Sequence, residues 1–362
     1  MDGQQLYEIV ETYERLGVHR AGTDVDRATV DWVEQMLTAQ GLTTTRLDVP
    51  FERYATSARL EADGVEIACD PLFYEWIGSV DTTAVDVELL APKEAGGRTN
   101  SLDDATGADR DVDALVIATG HPAGSLIGIN RVAEVQGGRP TVLVAGRDHE
   151  RLAAADEVRL QLDAALEPAT TTNLEARNDL EGAPLLITTP LTGWFTCAGE
   201  RGTGLAVAMA LAERFADRPL LVLATGAHEL DYFGVRQWVA STGERPRAII
   251  HVGASVAVED PIDGGERGLV STRLAMTDAA GDTAERIGAA LAPATFMYRP
   301  ETEGWLGESE VFCEMGVPML SFTGSGRSFH TPEDIAAEVT SPESLALVAG
   351  AIGDAVEALL AG

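Results

Sequence analysis

The sequence predicts an α/β fold in which helices cover both faces of a mixed, mostly parallel sheet, and a β-rich insert interrupts that domain. Two observations lead to this prediction. From residue 171 onward, short apolar runs alternate with longer segments whose apolar residues recur every three or four positions, as in strands that alternate with helices. The strand runs are apolar throughout, which is typical of strands buried on both faces. We therefore expect a three-layer αβα domain formed by residues 1–50 and 171–362.

The first part of the chain predicts two helices followed by many short strands. Residues 6–16 and 28–40 have helical apolar spacing, Thr23 or Asp24 can cap the second helix, and Gly41 ends it. A polar stretch at 94–111 predicts a surface loop. The predicted β-rich insert covers 51–170. Strands are expected at 43–49, 58–62, 65–68, 85–90, 114–118, 141–145 and 158–162.

The second part of the chain predicts the alternating strands and helices. In parallel sheets of this kind, ligands bind beyond the carboxyl ends of the strands. The loops at 189–203, 225–232, 253–261 and 323–334 are therefore the expected place for a site, and His228, His251 and His330 lie in or beside them. Strands are expected at 184–188, 220–224, 248–252 and 319–322, and helices at 202–215, 232–241, 283–292 and 342–360.

The composition excludes some classes of partner. The 362 residues include 58 Asp and Glu against 26 Lys and Arg, a formal charge of −32. Such a chain repels phosphate backbones and anionic lipid headgroups, so neither nucleic acid nor a membrane surface is an expected partner. The acid excess also indicates adaptation to a salt-rich cytoplasm, where ions screen the repulsion. It makes any single carboxylate weak support for a site.

The cysteines and the amino terminus favour a cytoplasmic protein. Cys69, Cys197 and Cys313 are odd in number and far apart, so we expect neither disulfides nor a thiolate zinc site. The start of the chain is polar and leads into an amphipathic helix, without the pattern of a signal peptide. No run approaches 18 uninterrupted apolar residues.

Two generic motifs are incomplete in this sequence. His228-Glu229 begins like a zinc-binding helix, but Tyr232 stands where the second histidine is required. Gly253-Ala-Ser255-Val-Ala257 follows a strand like a nucleophile elbow, but no helical pattern comes after it. A serine hydrolase that uses Ser255 remains a third hypothesis.

A set of ordered motifs carries a family resemblance over residues 1–50 and 170–362. The segments are Arg20-Ala-Gly-Thr23, residues 198–204 at a helix start, Gly226-Ala-His-Glu-Leu-Asp-Tyr-Phe-Gly234, Phe312-Cys-Glu-Met-Gly-Val-Pro-Met-Leu320 and Phe329-His-Thr-Pro-Glu-Asp334. In order and spacing the chain resembles the co-catalytic zinc aminopeptidase family of clan MH, which also includes glutaminyl cyclases, glutamate carboxypeptidase and the transferrin receptor. The resemblance implies that the β-rich insert is similar to a protease-associated domain, because it lies where some relatives carry one.

The resemblance implies two zinc ions, but most of the ligand positions have changed. Members of that family hold zinc with a His-x-Asp pair, a bridging Asp, a Glu-Glu pair, a later Asp and a carboxy-terminal His. The first Glu of the pair is the general base and the second is a ligand. Of the ligand residues, only Glu229 and His330 remain. The other positions read Pro190-Leu191-Thr192, Gly199, His228 and Gly253, and Gly307-Glu308-Ser309 replaces a Ser-Asp-His before the Phe.

Two main hypotheses follow. In the first, the chain is a hydrolase of peptide or small amide bonds with one zinc ion on Glu229 and His330, and Glu200 or His228 is the third donor. His228 then also stands in the position of the general base. In the second, the site is a relic that binds a peptide, a small molecule or a partner without cleaving it.

Several other polar and aromatic residues have structural explanations. His251 lies inside an apolar strand, so we expect a buried core histidine. Asp231 and Asp334 are expected to be solvated or capping carboxylates. Trp194, Phe195 and Trp305 flank the expected pocket, where they can line an apolar subsite or simply pack.

Overall fold

The computed structural model describes residues 1–90, 106–107, 111–262, 265–299 and 304–362. The chain divides into two compact units. The first unit comprises Met1–Val49, Thr170–Phe329 and Asp334–Gly362, and the second comprises Pro50–Ala169 and His330–Glu333. The segment His330–Glu333 thus groups with the second unit, whereas the sequence analysis placed it in the α/β domain. The loop predicted at 94–111 lies almost wholly outside the described residues.

The described residues form the helices and strands that follow. The helices are α1 (Gly3–Leu16), α2 (Asp24–Ala39), α3 (His149–Ala154), α4 (Thr203–Arg214), α5 (Phe233–Ser241), α6 (Gly281–Leu291), α7 (Ser309–Phe312), α8 (Ala336–Val339) and α9 (Pro342–Leu360). The strands are β1 (Thr43–Ala62), β2 (Val65–Ile67), β3 (Cys69–Pro71), β4 (Gly78–Thr82), β5 (Val85–Leu89), β6 (Ala114–Thr119), β7 (Thr141–Ala145), β8 (Val158–Arg177), β9 (Leu185–Pro190), β10 (Leu220–Thr225), β11 (Ala248–Val252), β12 (Glu259–Pro261), β13 (Arg267–Leu269), β14 (Leu274–Thr277), β15 (Met297–Arg299) and β16 (Met319–Thr323).

Side-chain caps define where the first two helices begin. The Asp2 carboxylate accepts a hydrogen bond from the Gln5 N–H, and the Gln5 side chain accepts one from the Asp2 N–H. This reciprocal capping box satisfies two N–H groups that the first helical turn leaves free. Thr23 caps α2 by accepting from the Asp26 N–H at 3.2 Å, which confirms one of the two predicted caps.

A mixed sheet forms the centre of the first unit. The strand order is β15-β14-β16-β11-β9-β10-β8-β1. The four strands β16, β11, β9 and β10 pair in parallel, whereas β8 and β14 pair antiparallel with their inner neighbours β10 and β16. The parallel centre brings the carboxyl ends of β9, β10 and β11 to one edge, which we call the carboxyl edge.

Alternate residues of these strands pack against helices on opposite faces. Leu186 and Ile249 belong to a cluster with Trp238 of α5 and Phe312 of α7. Their neighbours Ile187 and Ile250 belong to the larger cluster on the other face, with residues of α1, α2, α4, α6 and α9. Helices therefore cover both faces of the sheet, which confirms the predicted fold class.

The two longest strands differ from the prediction. The sequence predicts separate strands at 43–49 and 58–62, but β1 continues without interruption from Thr43 to Ala62. Likewise, β8 extends to Arg177, well beyond the predicted 158–162. Both strands expose a large share of their side chains. An apolar run in the sequence therefore covers only part of each strand. Backbone pairing, which composition does not reveal, sets their full length.

The second unit consists mainly of strands. Its four-stranded sheet has the order β3-β7-β6-β5, with β5, β6 and β7 parallel and β3 antiparallel at the edge. Every residue of β6 and β7 is buried. The similarity of the second unit to a protease-associated domain stays a prediction. Across the described part of the chain, no helix is long and apolar enough to cross a membrane.

Candidate functional site

Unusual backbone conformations concentrate in the loops of the first unit that follow β9, β10 and β11. Six of the ten described non-glycine residues with positive φ lie there: Phe195, Cys197, Ala227, Asp231, Tyr232 and Ser255. A π-helical turn at Ala198–Gly202 leads into α4, and such turns recur at functional sites. Because each left-handed residue costs about 1–3 kcal/mol, their clustering indicates a functional region.

Glu229 is held by two hydrogen bonds within this region. Its side chain is buried, with only 3% of the residue exposed. One carboxylate oxygen, Oε1, accepts from the Ala21 N–H at 2.8 Å, and the other, Oε2, accepts from the Thr192 hydroxyl at 2.6 Å. Burial raises the pKa of the carboxyl to about 7. Each carboxylate oxygen therefore accepts from an internal donor, which fixes the orientation of the group.

The loop between α1 and α2 supplies one of those donors and is itself anchored. The His19 N–H donates to the Phe195 carbonyl at 3.0 Å, and the Gly193 N–H donates to the His19 carbonyl at 2.8 Å. These bonds attach residues around Ala21 to the loop that carries Thr192. Thr192 in turn accepts from the His228 N–H at 3.0 Å, so its hydroxyl joins the loop after β9 to the loop after β10.

His228 pairs with a fully buried carboxylate. Its Nδ1 lies 3.1 Å from Oε1 of Glu308, and the Thr225 hydroxyl lies 2.8 Å from each Glu308 oxygen. Burial raises the pKa of Glu308. The His228 ring also faces Tyr232, with 5.0 Å between the ring centroids. The predicted catalytic histidine is thus oriented by Glu308, a residue that the sequence analysis noted only as a changed position.

Glu200 forms a buried ion pair with Arg201. The Arg201 Nη2 lies 2.6 Å from Glu200 Oε1, and the two side chains are 1% and 0% exposed. Asp334 lies beside them and accepts from the Gly199 N–H at 2.8 Å and the Glu200 N–H at 2.9 Å. Burial raises the pKa of Asp334 to about 7. The sequence predicts that Asp334 is either solvated or a capping carboxylate. Because Asp334 is buried and accepts from these two N–H groups, the capping alternative is correct.

Sequence reasoning missed Arg201 and Thr192 as members of this cluster. One signal was available for Arg201, because it is the single charged residue among positions 201–212, where an apolar helix begins. Long charged side chains are rarely buried without a partner, so an arginine at that place calls for a buried acid. Thr192 carried no such signal, because threonine is common in loops and strands alike.

His251 is a core histidine, as predicted. It is 1% exposed and its ring lies 5.9 Å from that of Phe312. Burial lowers its pKa to about 4, so the ring is neutral near pH 7. Ser255 lies in a turn between β11 and β12 rather than before a helix and is 1% exposed. The strand, turn and helix of a nucleophile elbow are therefore not formed around Ser255.

His330 belongs to the second unit. There its Nδ1 lies 3.0 Å from the Gly128 carbonyl, and the Gly128 N–H donates to the His330 carbonyl at 2.8 Å. Glu229, Glu200 and His228 thus lie in the first unit. His330 lies in the second unit, where it contacts Gly128.

His19, a buried histidine of the anchored loop, is expected to make the stability of the protein depend on pH. Burial lowers its pKa from 6.5 to about 4. The unfolded chain therefore takes up the proton first, and stability falls as the pH drops from 6.5 toward 4. His19→Gln removes this dependence. We expect the stability deficit of the variant at pH 7.5 to shrink by about 2.5 kcal/mol at pH 4.5, as measured by urea unfolding at both pH values. Parallel pH profiles would contradict this expectation.

Comparison with solved structures identifies the fold. No family model and no curated protein matches the sequence. Among solved structures, the chain is similar to BSAP, a zinc aminopeptidase from Bacillus subtilis, with a TM-score of 0.73 and 17% identity over 98% of this chain and 94% of that chain. It is also similar to a peptidase M28 precursor from Shewanella amazonensis, with a TM-score of 0.72 and 18% identity over 99% of this chain and 95% of that one. An aminopeptidase from Aneurinibacillus sp. strain AM-1 matches with a TM-score of 0.64 and 17% identity over 98% and 93% of the two chains. The chain therefore has the fold of the zinc aminopeptidases.

The residues present do not fit a zinc ion in the way the resemblance implies. In the described ranges, no three His, Cys, Asp or Glu side chains are grouped so that they could hold a metal ion. At Gly199, the position of the bridging Asp, an added Cβ would lie 2.6 Å from Asp334 Oδ1 and 2.8 Å from Val258 Cγ2. At Gly253, the position of the later Asp, it would lie 2.8 Å from the Phe322 carbonyl oxygen. Both positions are therefore closed to a ligand side chain.

Proposed function

We propose that this peptidase-fold protein binds a peptide or small amide at the carboxyl edge of the first unit and does not hydrolyse it with a zinc ion. The observation that carries the proposal is the surroundings of Glu229. Its two carboxylate oxygens accept from the Ala21 N–H and the Thr192 hydroxyl, and within the described ranges no three His, Cys, Asp or Glu side chains are grouped to hold a metal ion. A catalytic zinc ion usually needs about three protein ligands.

Two features support continued binding at this edge. Six strained residues remain in the surrounding loops, although strain of this kind lowers stability unless a function maintains it. Aromatic side chains are half-buried in two of these loops, at Phe195 and Tyr232, whereas Trp305 lies outside these loops and packs against a core cluster. Aromatic rings with a few oriented polar groups are the usual lining of sites for small organic ligands.

Metal analysis tests the zinc part of the proposal. The wild-type protein is purified at high salt without chelator, and zinc is measured by inductively coupled plasma mass spectrometry. We expect less than about one zinc ion per ten chains and no turnover of leucine p-nitroanilide with added zinc. Glu229→Gln keeps the bond from Ala21 through its amide oxygen and reverses the other one, since its amide N–H donates to the Thr192 hydroxyl oxygen. We expect this variant to fold like the wild type, within about 1 kcal/mol.

One zinc ion per chain, together with turnover that Glu229→Gln abolishes, would overturn the proposal in favour of a single-zinc hydrolase. Metal-free protein that still hydrolyses leucine p-nitroanilide would overturn the statement that the ligand is bound without cleavage.

A titration tests the binding part. A leucyl tripeptide with a free amino group is added to the protein, and binding is measured by calorimetry at high salt. Phe195→Ala is expected to weaken binding about 10-fold, the order of effect for one aromatic contact of about 1.4 kcal/mol. Trp32→Ala is the control, because Trp32 is also a half-buried aromatic residue but lies on α2 against the core. Equal effects of the two variants, or no binding to the wild type, would contradict the proposal.

A further inference from the structure

Arg201 occupies an unusual place for an arginine. It lies in the π-helical turn at Ala198–Gly202, and its side chain is only 1% exposed. Nε donates to the Thr192 carbonyl at 2.9 Å, and Nη2 lies 2.6 Å from Glu200 Oε1. The guanidinium group is therefore held between the loop after β9 and the start of α4, close to the positions where the family resemblance places metal ligands.

The charges around Arg201 are mostly acidic. Burial by itself lowers the pKa of the guanidinium, but Glu200 above all, followed by Cys197, Tyr13 and Glu308, outweighs burial and leaves the pKa above its usual range. Arg201 also opposes the increase that burial causes in the pKa of Asp334. The guanidinium thus contacts Glu200 directly and acts at longer range on Asp334 and Glu308.

Neutral groups complete the cluster. His251 has a pKa of about 4, because burial disfavours its charged form, and therefore carries no charge near pH 7. An arginine, in contrast, stays protonated at every pH at which proteins are folded. Arg201 is consequently a permanent positive charge beside these carboxyl groups.

We propose that Arg201 is an internal cation that takes the electrostatic place of a catalytic metal in this fold. It balances the charge of Glu200, whose N–H donates to Asp334, and it bonds to the Thr192 carbonyl, so that these segments stay together without a metal ion. A divalent cation approaching the same acids is repelled by the guanidinium. The inference deepens the proposed function, on which it rests, by stating why the cluster is stable without zinc.

A double-mutant cycle between Arg201 and Glu200 tests the inference. Arg201→Met keeps most of the aliphatic stem and removes the charge, which leaves Glu200 buried without its cation. We expect the folding equilibrium constant to fall about 100-fold or more, in line with breaking a buried ion pair. Glu200→Gln removes the acid that needs balancing, so Arg201→Met in a Glu200→Gln background is expected to lower the constant at least 10-fold less. The measurement is urea unfolding at fixed high salt.

Two further results decide the matter. Equal losses on Arg201→Met in both backgrounds would show that Arg201 contributes by packing alone and would overturn the inference. Should Arg201→Met fail to fold, recovery of folding in the double variant supports the inference, and a double variant that also fails to fold overturns it. Because the cycle measures charge coupling, its outcome is independent of the zinc analysis, and a failure of the proposed function would instead appear as zinc in the wild-type protein.

Discussion

Replacing Gly199 by aspartate, which would restore the bridging residue of the zinc peptidases, is expected to lower the free energy of unfolding by roughly 4 kcal/mol. The new Cβ would lie 2.6 Å from Asp334 Oδ1 and 2.8 Å from both Val258 Cγ2 and Val339 Cγ2. Steric overlap with two packed valines is joined by the repulsion of a second buried carboxylate beside Asp334. The variant is therefore expected to lose stability without gaining zinc.

The control for this substitution is Gly243→Asp. Gly243 is exposed, and an added Cβ there has no neighbour within 4 Å. This variant adds the same charge to the chain, and we expect a change within about 0.5 kcal/mol. Urea unfolding with and without zinc compares the two. If Gly199→Asp is as stable as Gly243→Asp, or if zinc stabilises it, the position is not closed as described.

Replacing Thr192 by valine is expected to lower the free energy of unfolding by about 3 kcal/mol. The Thr192 hydroxyl donates to Glu229 Oε2 at 2.6 Å and accepts from the His228 N–H at 3.0 Å. Valine has nearly the same shape but can do neither, so a buried carboxylate oxygen and a buried N–H lose their partners. Each such group costs about 1–3 kcal/mol.

Thr192→Ser separates the hydroxyl from the methyl group. Serine keeps both hydrogen bonds and loses one buried methyl, so we expect a loss of only about 1 kcal/mol. Unfolding curves of the two variants measure the difference. Similar losses for valine and serine would mean that the methyl group, and not the hydroxyl, stabilises the loops.

Much of the fold could be predicted because local patterns and tertiary packing agree. The strand at 248–252 and the helix at 342–360 were predicted with the bounds that the structure has. The strand is a short, mostly apolar run, and the helix is an apolar segment interrupted by Asp354 and Glu357 at helical spacing; such segments need little information from the rest of the chain. The strand β1 was predicted only in two pieces, because its exposed middle forms a strand by pairing with other strands.

The candidate site could be predicted only in part. The strand and helix pattern pointed to the loops after the strands, and the family resemblance pointed to His228, Glu229 and Glu200 within them. It did not reveal that Thr192 bonds to Glu229 or that Glu308 bonds to His228, since these pairs are separated by 37 and 80 positions. Hydrogen bonds at such separations depend on how the loops meet, which no local pattern records.

The sequence by itself determined the fold class, the acidic charge and the changes at the positions where the resemblance expects metal ligands. Those properties follow from residue type and spacing alone. Only the tertiary structure decided what replaced the missing ligands: Asp334 lies against Gly199, and Arg201 pairs with Glu200. The physical reason is burial. Burial separates these charges from bulk water, so each must find its partner among side chains brought from distant parts of the chain.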